Sequence, residues 1–124
     1  MRLGVVGASL AGLGVAAGAF GAHGLRDRLD PASLATFETG ARYQLIHGLA
    51  VLVAVGRDAH TPGPTARNAG ISFVLGIVLF SGSLYALALG APRGVGLVTP
   101  LGGLSFLAGW ALLALSYASH ERPH

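Results

Sequence analysis

Four long apolar stretches, separated by short polar segments, dominate the chain. Three of them, residues 3–22, 69–89 and 100–118, contain no charged side chain. A helix rises ~1.5 Å per residue, so about 20 apolar residues cross the ~30 Å of hydrocarbon in a bilayer. Each of these stretches is therefore predicted to be a transmembrane helix.

The second apolar stretch is shorter, because its apolar part covers only residues 45–55. That part would extend over ~16 Å, which is too little to cross a bilayer. A complete span must therefore run over about residues 37–56. Polar and ionisable groups are costly in hydrocarbon and are candidates for function by default. The longer span brings five polar side chains into or next to the membrane: Glu38, Arg42, Tyr43, Gln44 and His47.

Turn-forming residues agree with these spans. Asp30 and Pro31 are predicted to be the N-cap and the first residue of the second helix. The Arg-Asp pair at residues 57–58 and the Thr-Pro-Gly-Pro run at residues 61–64 are predicted to end that helix and form a loop. The predicted fold is all-α, a four-transmembrane-helix bundle with short loops. It forms a single integral membrane domain over residues 1–124.

The composition supports a membrane protein. Of 124 residues, 52% are hydrophobic and only 10% charged, whereas soluble domains carry about 25% charged residues. The chain has no cysteine, which excludes disulfides and thiolate metal sites. All 8 basic Lys or Arg residues are arginines, so lysine-based catalysis is excluded as well. These arginines are scattered singly, and binding to nucleic acid is therefore not expected despite a pI near 10.2.

Small residues recur along the first predicted helix at alternating spacings of three and four. This spacing puts them on one helical stripe, where small side chains allow close packing of helices in lipid. The stripe predicts a tightly packed helix within the bundle or a dimer face. A cleaved signal peptide is an alternative interpretation of the same segment. The stripe consists of Gly4, Gly7, Ala11, Gly14, Gly18 and Gly21.

Several short motifs resemble a known family. They are residues 18–25 (Gly-Ala-Phe-Gly-Ala-His-Gly-Leu), residues 37–47 (Phe-x-Thr-Gly-x-x-Tyr-Gln-x-x-His), residues 80–85 (Phe-Ser-Gly-Ser-Leu-Tyr), residues 99–103 (Thr-Pro-Leu-Gly-Gly) and the Gly-Trp pair at residues 109–110. Together they resemble the small uncharacterised membrane proteins of the YgdD/YwdK type, over essentially the whole chain. The resemblance implies a four-helix protein of the bacterial cytoplasmic (inner) membrane. It implies no activity, because the family is one of unknown function.

Helical geometry divides the polar residues of the second span. Glu38 and Arg42 are four residues apart and are predicted to form an ion pair near the membrane edge. They are interpreted either as an interfacial anchor, with Arg42 reaching the headgroups, or as a contact for an ion or a lipid headgroup. Tyr43 and His47 lie on another face, predicted to point into the bundle.

His47 is predicted to lie deep in the membrane, ~15 Å along the helix from residue 37. One interpretation is purely structural: His47 forms an interhelical hydrogen bond, which contributes about 0.6 kcal/mol in membrane bundles. The alternative is a polar pocket or proton relay. The candidate pocket residues are His23, Tyr43, His47, Ser81, Ser83 and Tyr85.

The arginines do not decide which side of the membrane the ends occupy. With four alternating spans, Arg2, Arg57, Arg67 and Arg122 lie on one side, and Arg26, Arg28, Arg42 and Arg93 lie on the other. The positive-inside rule is therefore balanced. Arg2, in the short N-terminus, slightly favours the cytoplasm for that end.

Three functions follow from this pattern. The first is a non-enzymatic structural or accessory membrane component that self-associates into a homo-oligomer. The second is a small carrier or channel for protons or a polar solute, using the pocket around His47. The third is a membrane enzyme acting on lipid or quinone. No catalytic residue, metal ligand set or cofactor is predicted, and the expected partners are the lipid bilayer and further copies of the chain.

Overall fold

The computed structural model describes residues 2–121, without the side chains of residues 120 and 121, and Arg122 lies outside it. Every regular element in the described part is helical. The long helices are α1 (Leu3–His23), α2 (Pro31–His60), α3 (Pro64–Ala88) and α4 (Thr99–Glu121). A π-helical turn, Ile77–Ser81, interrupts α3, and a short 3₁₀ turn, Arg93–Leu97, precedes α4. The all-α prediction is confirmed.

Three of these helices are long and apolar enough to cross a membrane. They are α1, α3 and the segment Arg93–Ser119, which contains most of α4. α2 is the longest helix, with 30 residues, but its polar residues keep it out of this group. The described chain therefore has four long helices, of which three qualify as membrane spans by length and composition.

Neighbouring residues explain where α2 begins and where it ends. Asp30 is the predicted N-cap: its Oδ1 accepts the Ser33 N–H over 2.7 Å, and Pro31 follows as the first helical residue. This hydrogen bond also lowers the pKa of Asp30. Of the two predicted terminators, the run at residues 61–64 is the one that ends the helix, because α2 continues past Arg57 and Asp58 to His60. It ends where the two prolines of residues 61–64 prevent a further helical turn.

The stripe of small residues on α1 faces α2. Gly7, Ala11, Gly14 and Gly21 are buried. A Cβ atom on Gly7 would lie 2.8 Å from a Val51 methyl group, so a larger residue would push the helices apart. From the other side, a Cβ on Gly48 of α2 would lie 2.7 Å from the Ala11 nitrogen. The two helices are thus in backbone contact, which is how membrane helices gain dispersion energy.

α2 also packs against α3, and α4 packs mainly against α3. The apolar core lies among these helices and contains Val51, Phe73 and Leu113. Glycines bring α3 and α4 together as well: Gly102 lies against the backbone of Phe80, and a Cβ on Gly109 would lie 2.6 Å from the Phe73 ring. This packing fixes which polar side chains of α2 meet partners on the other helices.

Candidate functional site

His47 lies in the middle of the bundle and is only 4% exposed. Its ring stacks on Phe106 of α4, with the ring centroids 3.6 Å apart and the planes 10° from parallel. Phe73 of α3 and Trp110 of α4 contact the same ring at 5.7 and 5.8 Å. The imidazole is therefore enclosed by aromatic side chains from both neighbouring helices.

Both nitrogens of His47 have hydrogen-bond partners. The Trp110 indole Nε1–H lies 3.0 Å from Nε2 of His47, and an indole can only donate. Nε2 must therefore accept, which places the proton on Nδ1. That N–H donates to the Tyr43 backbone oxygen over 2.8 Å. The geometry thus assigns a neutral imidazole in a single tautomer, with both nitrogens occupied by protein groups.

Gln44, one turn away, connects three helices. Its Nε2–H donates to the Leu10 carbonyl of α1 over 2.9 Å, and its Oε1 accepts the Tyr85 hydroxyl of α3 over 2.6 Å. The Leu10 carbonyl is accessible because Gly14 lies one turn further along α1 and carries no side chain. Gln44 is 6% exposed. It was not among the predicted pocket residues, although its amide has the most extensive interhelical contacts of the polar segment.

The two serines of α3 are bound separately from His47. Ser81, at the end of the π-helical turn, is fully buried and donates to the Gly40 carbonyl of α2 over 2.7 Å. Ser83 shares a hydrogen bond with Thr99 at the start of α4. π-Helical turns often occur at functional sites, but this one directs Ser81 to a backbone acceptor.

The structure stacks the Tyr43 and His47 rings with their centroids 5.9 Å apart, but it does not gather the predicted residues around one pocket. His23 is exposed at the end of α1, and Tyr43 is 37% exposed. The Tyr43 ring lies at the rim of the bundle, 4.8 Å from the Phe80 ring of α3 and 6.2 Å from the Phe106 ring of α4, while Gln44 is the more deeply buried of the two. Each remaining candidate contacts its own partner: Trp110 for His47, Gly40 for Ser81, Thr99 for Ser83 and Gln44 for Tyr85.

Glu38 and Arg42 lie on a groove between α1 and α2. Arg42 is exposed and Glu38 is partly exposed. Both line a cavity of about 320 Å³, together with Gly14, Gly18 and other small residues of α1. Their position in the N-terminal half of α2 fits either interpretation made from the sequence, and their ion pair stays a prediction.

Arg57 is a buried cation that the sequence interpretation missed. It is only 8% exposed. Its Nε–H donates to the Ser116 hydroxyl over 3.1 Å, and one Nη2–H donates to the Ser116 carbonyl over 2.9 Å. The guanidinium carbon lies 4.6 Å from the centre of the Tyr117 ring, within the range of a cation–π contact. The sequence interpretation placed Arg57 where the second helix ends, and an arginine in a loop is expected to face water. The contact with Ser116 was therefore not predicted.

The described residues contain no group of three or more His, Cys, Asp or Glu side chains arranged to hold a metal ion. The described side chains also leave no buried nitrogen or oxygen without a hydrogen-bond partner. Polar burial in this bundle is thus balanced by protein contacts, as is usual for native interiors.

Comparison with known proteins identifies the family. Residues 17–103 match the family described as "Protein of unknown function (DUF423)". The chain belongs to this family. A UPF0382 membrane protein of Haemophilus influenzae is 47% identical over 107 residues, which cover 86% of this chain and 84% of the relative.

Two further relatives connect the family to the resemblance seen in the sequence. The UPF0382 inner membrane protein YgdD of Escherichia coli is 44% identical over 99 residues, which cover 80% of this chain and 76% of the relative. The UPF0382 membrane protein YwdK of Bacillus subtilis is 38% identical over 113 residues, covering 90% and 92%. No solved structure was found to match the chain.

The family membership confirms the predicted resemblance and the predicted class of protein. The chain is a DUF423 membrane protein of unknown function, with helices suited to the bilayer. The predicted location in the bacterial cytoplasmic membrane is also confirmed, since the relatives are named membrane proteins and YgdD an inner membrane protein. Lipid is therefore the environment of its apolar surface.

Proposed function

We propose that this DUF423 protein is a non-enzymatic structural or accessory component of the membrane, and that all four of its helices cross the bilayer. The observation that carries the proposal is the state of His47. Both of its nitrogens are hydrogen-bonded and its ring is stacked on Phe106. A proton relay needs a group that can exchange its partners, and this ring has protein contacts on every polar atom.

α2 is included among the spans because of where its polar groups lie. Gln44, His47 and Arg57 are buried against other helices, so the surface that α2 presents outward is more apolar than its composition. Leu49 and Val53 on that surface are 52% and 47% exposed. With 30 residues, α2 is ~45 Å long and can cross the hydrocarbon with both polar ends outside it.

Cysteine labelling tests the four-span arrangement, and the chain has no native cysteine to interfere. We expect a membrane-impermeant maleimide to label Gly63→Cys from one side of sealed vesicles and both Arg28→Cys and Gly94→Cys from the other. Ala50→Cys, at a buried position, is the control and should react only after denaturation. Labelling of Gly63→Cys and Arg28→Cys from the same side would contradict a transmembrane α2.

Flux measurements in liposomes test the absence of transport. We expect proteoliposomes to dissipate an imposed pH gradient no faster than protein-free liposomes, and His47→Ala to behave in the same way. A panel of small polar solutes should likewise show no protein-dependent entry. A proton or solute flux that disappears in His47→Ala would contradict the proposal and favour the carrier or channel.

Self-association forms the second part of the proposal. The small-residue stripe is occupied by α2, so a homo-oligomer would use another surface. α4 offers one, because Leu101, Leu104 and Leu107 are 57%, 62% and 66% exposed. Light scattering in a mild detergent should give a mass above that of one 12.5 kDa chain. A monomer across the accessible concentration range would refute self-association.

A further inference from the structure

We propose that the cleft between the C-terminal halves of α2 and α4 binds an anionic phospholipid, with its phosphate on Arg57 and an acyl chain along Val53 and Trp110. This inference goes beyond the proposed structural role. It shares with that role only the placement of α2 in the membrane, which the cysteine labelling tests separately.

The polar end of the cleft contains a cation held by neutral groups. Ser116 accepts two N–H groups of Arg57, and the Tyr117 ring covers one face of the guanidinium. These contacts orient the side chain without neutralising its charge. Neither hydrogen bond uses Nη1, which leaves an edge of the guanidinium for a further acceptor. The planar guanidinium matches a phosphate with two parallel hydrogen bonds.

Open space lies next to this cation. A cavity of about 480 Å³ is lined by Val53, Gly56, Arg57, His60, Thr61 and Tyr117. A second cavity, of about 360 Å³, is lined by Val53, Trp110, Leu113, Ala114 and Tyr117. Val53 and Tyr117 belong to both linings, so the two cavities lie side by side and are described together as one cleft. It is cationic and polar at one end and entirely apolar along the other.

The order of these two ends matches the depth profile of a bilayer. Arg57 lies ten residues beyond His47 on α2, or ~15 Å from the middle of the bundle, which is the level where hydrocarbon meets the headgroups. The apolar part runs inward along α4 from Tyr117 to Trp110, over ~10 Å. A soluble anion would leave this apolar part uncovered, whereas an acyl chain attached to the phosphate would pack against it.

Hydrogen bonding to His47 fixes the deep wall of the cleft. The Trp110 ring is 42% exposed, but its N–H is hydrogen-bonded to His47. The ring also makes an edge-to-face contact with Phe73, with the centroids 4.9 Å apart. The indole therefore presents a rigid apolar surface toward the space where the chain would lie. This preorganisation means that the indole itself loses little entropy when a lipid chain packs against it.

Native mass spectrometry of the delipidated protein in detergent tests the proposal. Phosphatidylglycerol and phosphatidylcholine with identical acyl chains are added at equal concentrations, with and without inorganic phosphate. We expect preferential binding of phosphatidylglycerol, with no displacement by phosphate. Arg57→Gln should weaken binding of phosphatidylglycerol about tenfold or more, because it removes a charge-assisted contact. Arg67→Gln is the matched control, since Arg67 is exposed near the same end of the bundle, outside this cleft, and it should bind as the wild type does.

A second variant tests the apolar end and does not depend on Arg57. Ala114 is exposed in the cleft, so Ala114→Phe fills the space without disturbing the core. We expect weaker binding of phosphatidylglycerol in this variant, with an unchanged helical circular dichroism spectrum. Equal binding of the two lipids, or wild-type binding in Ala114→Phe, would overturn the proposal. Displacement by inorganic phosphate would instead identify a site for a soluble anion.

Discussion

The His47 layer and the Arg57 cleft both bury polar side chains of α2, but the groups that satisfy them differ. At His47, protein groups occupy every polar atom, and the ring is enclosed by Phe73, Phe106 and Trp110. At Arg57, a charged side chain is held by the neutral Ser116 and Tyr117 beside an open cleft. A polar residue deep in the bundle is therefore not automatically the one available to a ligand.

The free energies associated with His47 and Arg57 also differ. A neutral hydrogen bond between membrane helices contributes about 0.6 kcal/mol, and its partners are satisfied once it forms. An arginine at the centre of a membrane helix costs about 2.5–3.5 kcal/mol on insertion scales. Arg57 is near a helix end, where the cost is lower, but the neutral Ser116 does not compensate its charge. The stronger drive to recruit a ligand is thus expected at Arg57, near the end of α2.

The largest effect is expected from His47→Ala. The substitution leaves a cavity against Phe106 and removes the acceptor of the Trp110 N–H. It should lower the free energy of unfolding by about 2–4 kcal/mol, measured by denaturation in mixed micelles. His23→Ala, at the exposed end of α1, is the control and should change stability by less than about 0.5 kcal/mol. A wild-type stability for His47→Ala would indicate that the ring lies in hydrated space and would remove the contrast with Arg57.

The sequence predicted features that depend on neighbouring residues along the chain, but not those that depend on contacts between helices. The cap at Asp30 and Pro31 is local, because it needs only two residues and their neighbours along the chain. The inward direction of His47 followed from its place among the small residues on one face of α2, and its side chain is buried. The contact between His47 and Trp110 could not be predicted, since the sequence of one helix does not specify its register against a neighbouring helix. Interhelical register comes from contacts such as Gly102 against Phe80.

The omission of Gln44 from the predicted pocket has a geometric cause. Tyr43 and Gln44 precede His47 by four and three residues, and both positions lie on the same side of a helix as His47. The neighbouring helices decide how far each is buried: Gln44 is enclosed between α1 and α3, whereas Tyr43 packs against Phe80 and Phe106 and stays 37% exposed. The error at Arg57 arose from the helix end, because extending α2 to His60 converts a loop arginine into a buried one.

Gln44→Leu should have the next largest effect. It leaves the Tyr85 hydroxyl and the Leu10 carbonyl without their partner, at a cost of about 1–2 kcal/mol in the free energy of unfolding. In a double-mutant cycle with Tyr85→Phe, we expect a coupling energy of about 0.6 kcal/mol. Tyr43→Phe, which alters an exposed hydroxyl next to Gln44, is the control and should be nearly neutral. No coupling between Gln44 and Tyr85 would mean that this part of the bundle resembles the open cleft more than the His47 layer.

The smallest effect is expected from Trp110→Phe, which lies where the two regions meet. Phenylalanine keeps an aromatic ring against Phe73 and along the cleft but removes the N–H that binds His47. Stability should fall by about 0.6 kcal/mol, and phosphatidylglycerol binding should weaken much less than in Trp110→Ala, because the wall keeps an aromatic ring and loses only the hydrogen bond that holds it. Trp110→Ala is the matched comparison: it removes the wall as well as the hydrogen bond and should weaken both stability and lipid binding. If Trp110→Phe lost lipid binding as completely as Trp110→Ala, the indole N–H would itself serve the ligand, and the His47 layer and the Arg57 cleft would have to be treated as one site.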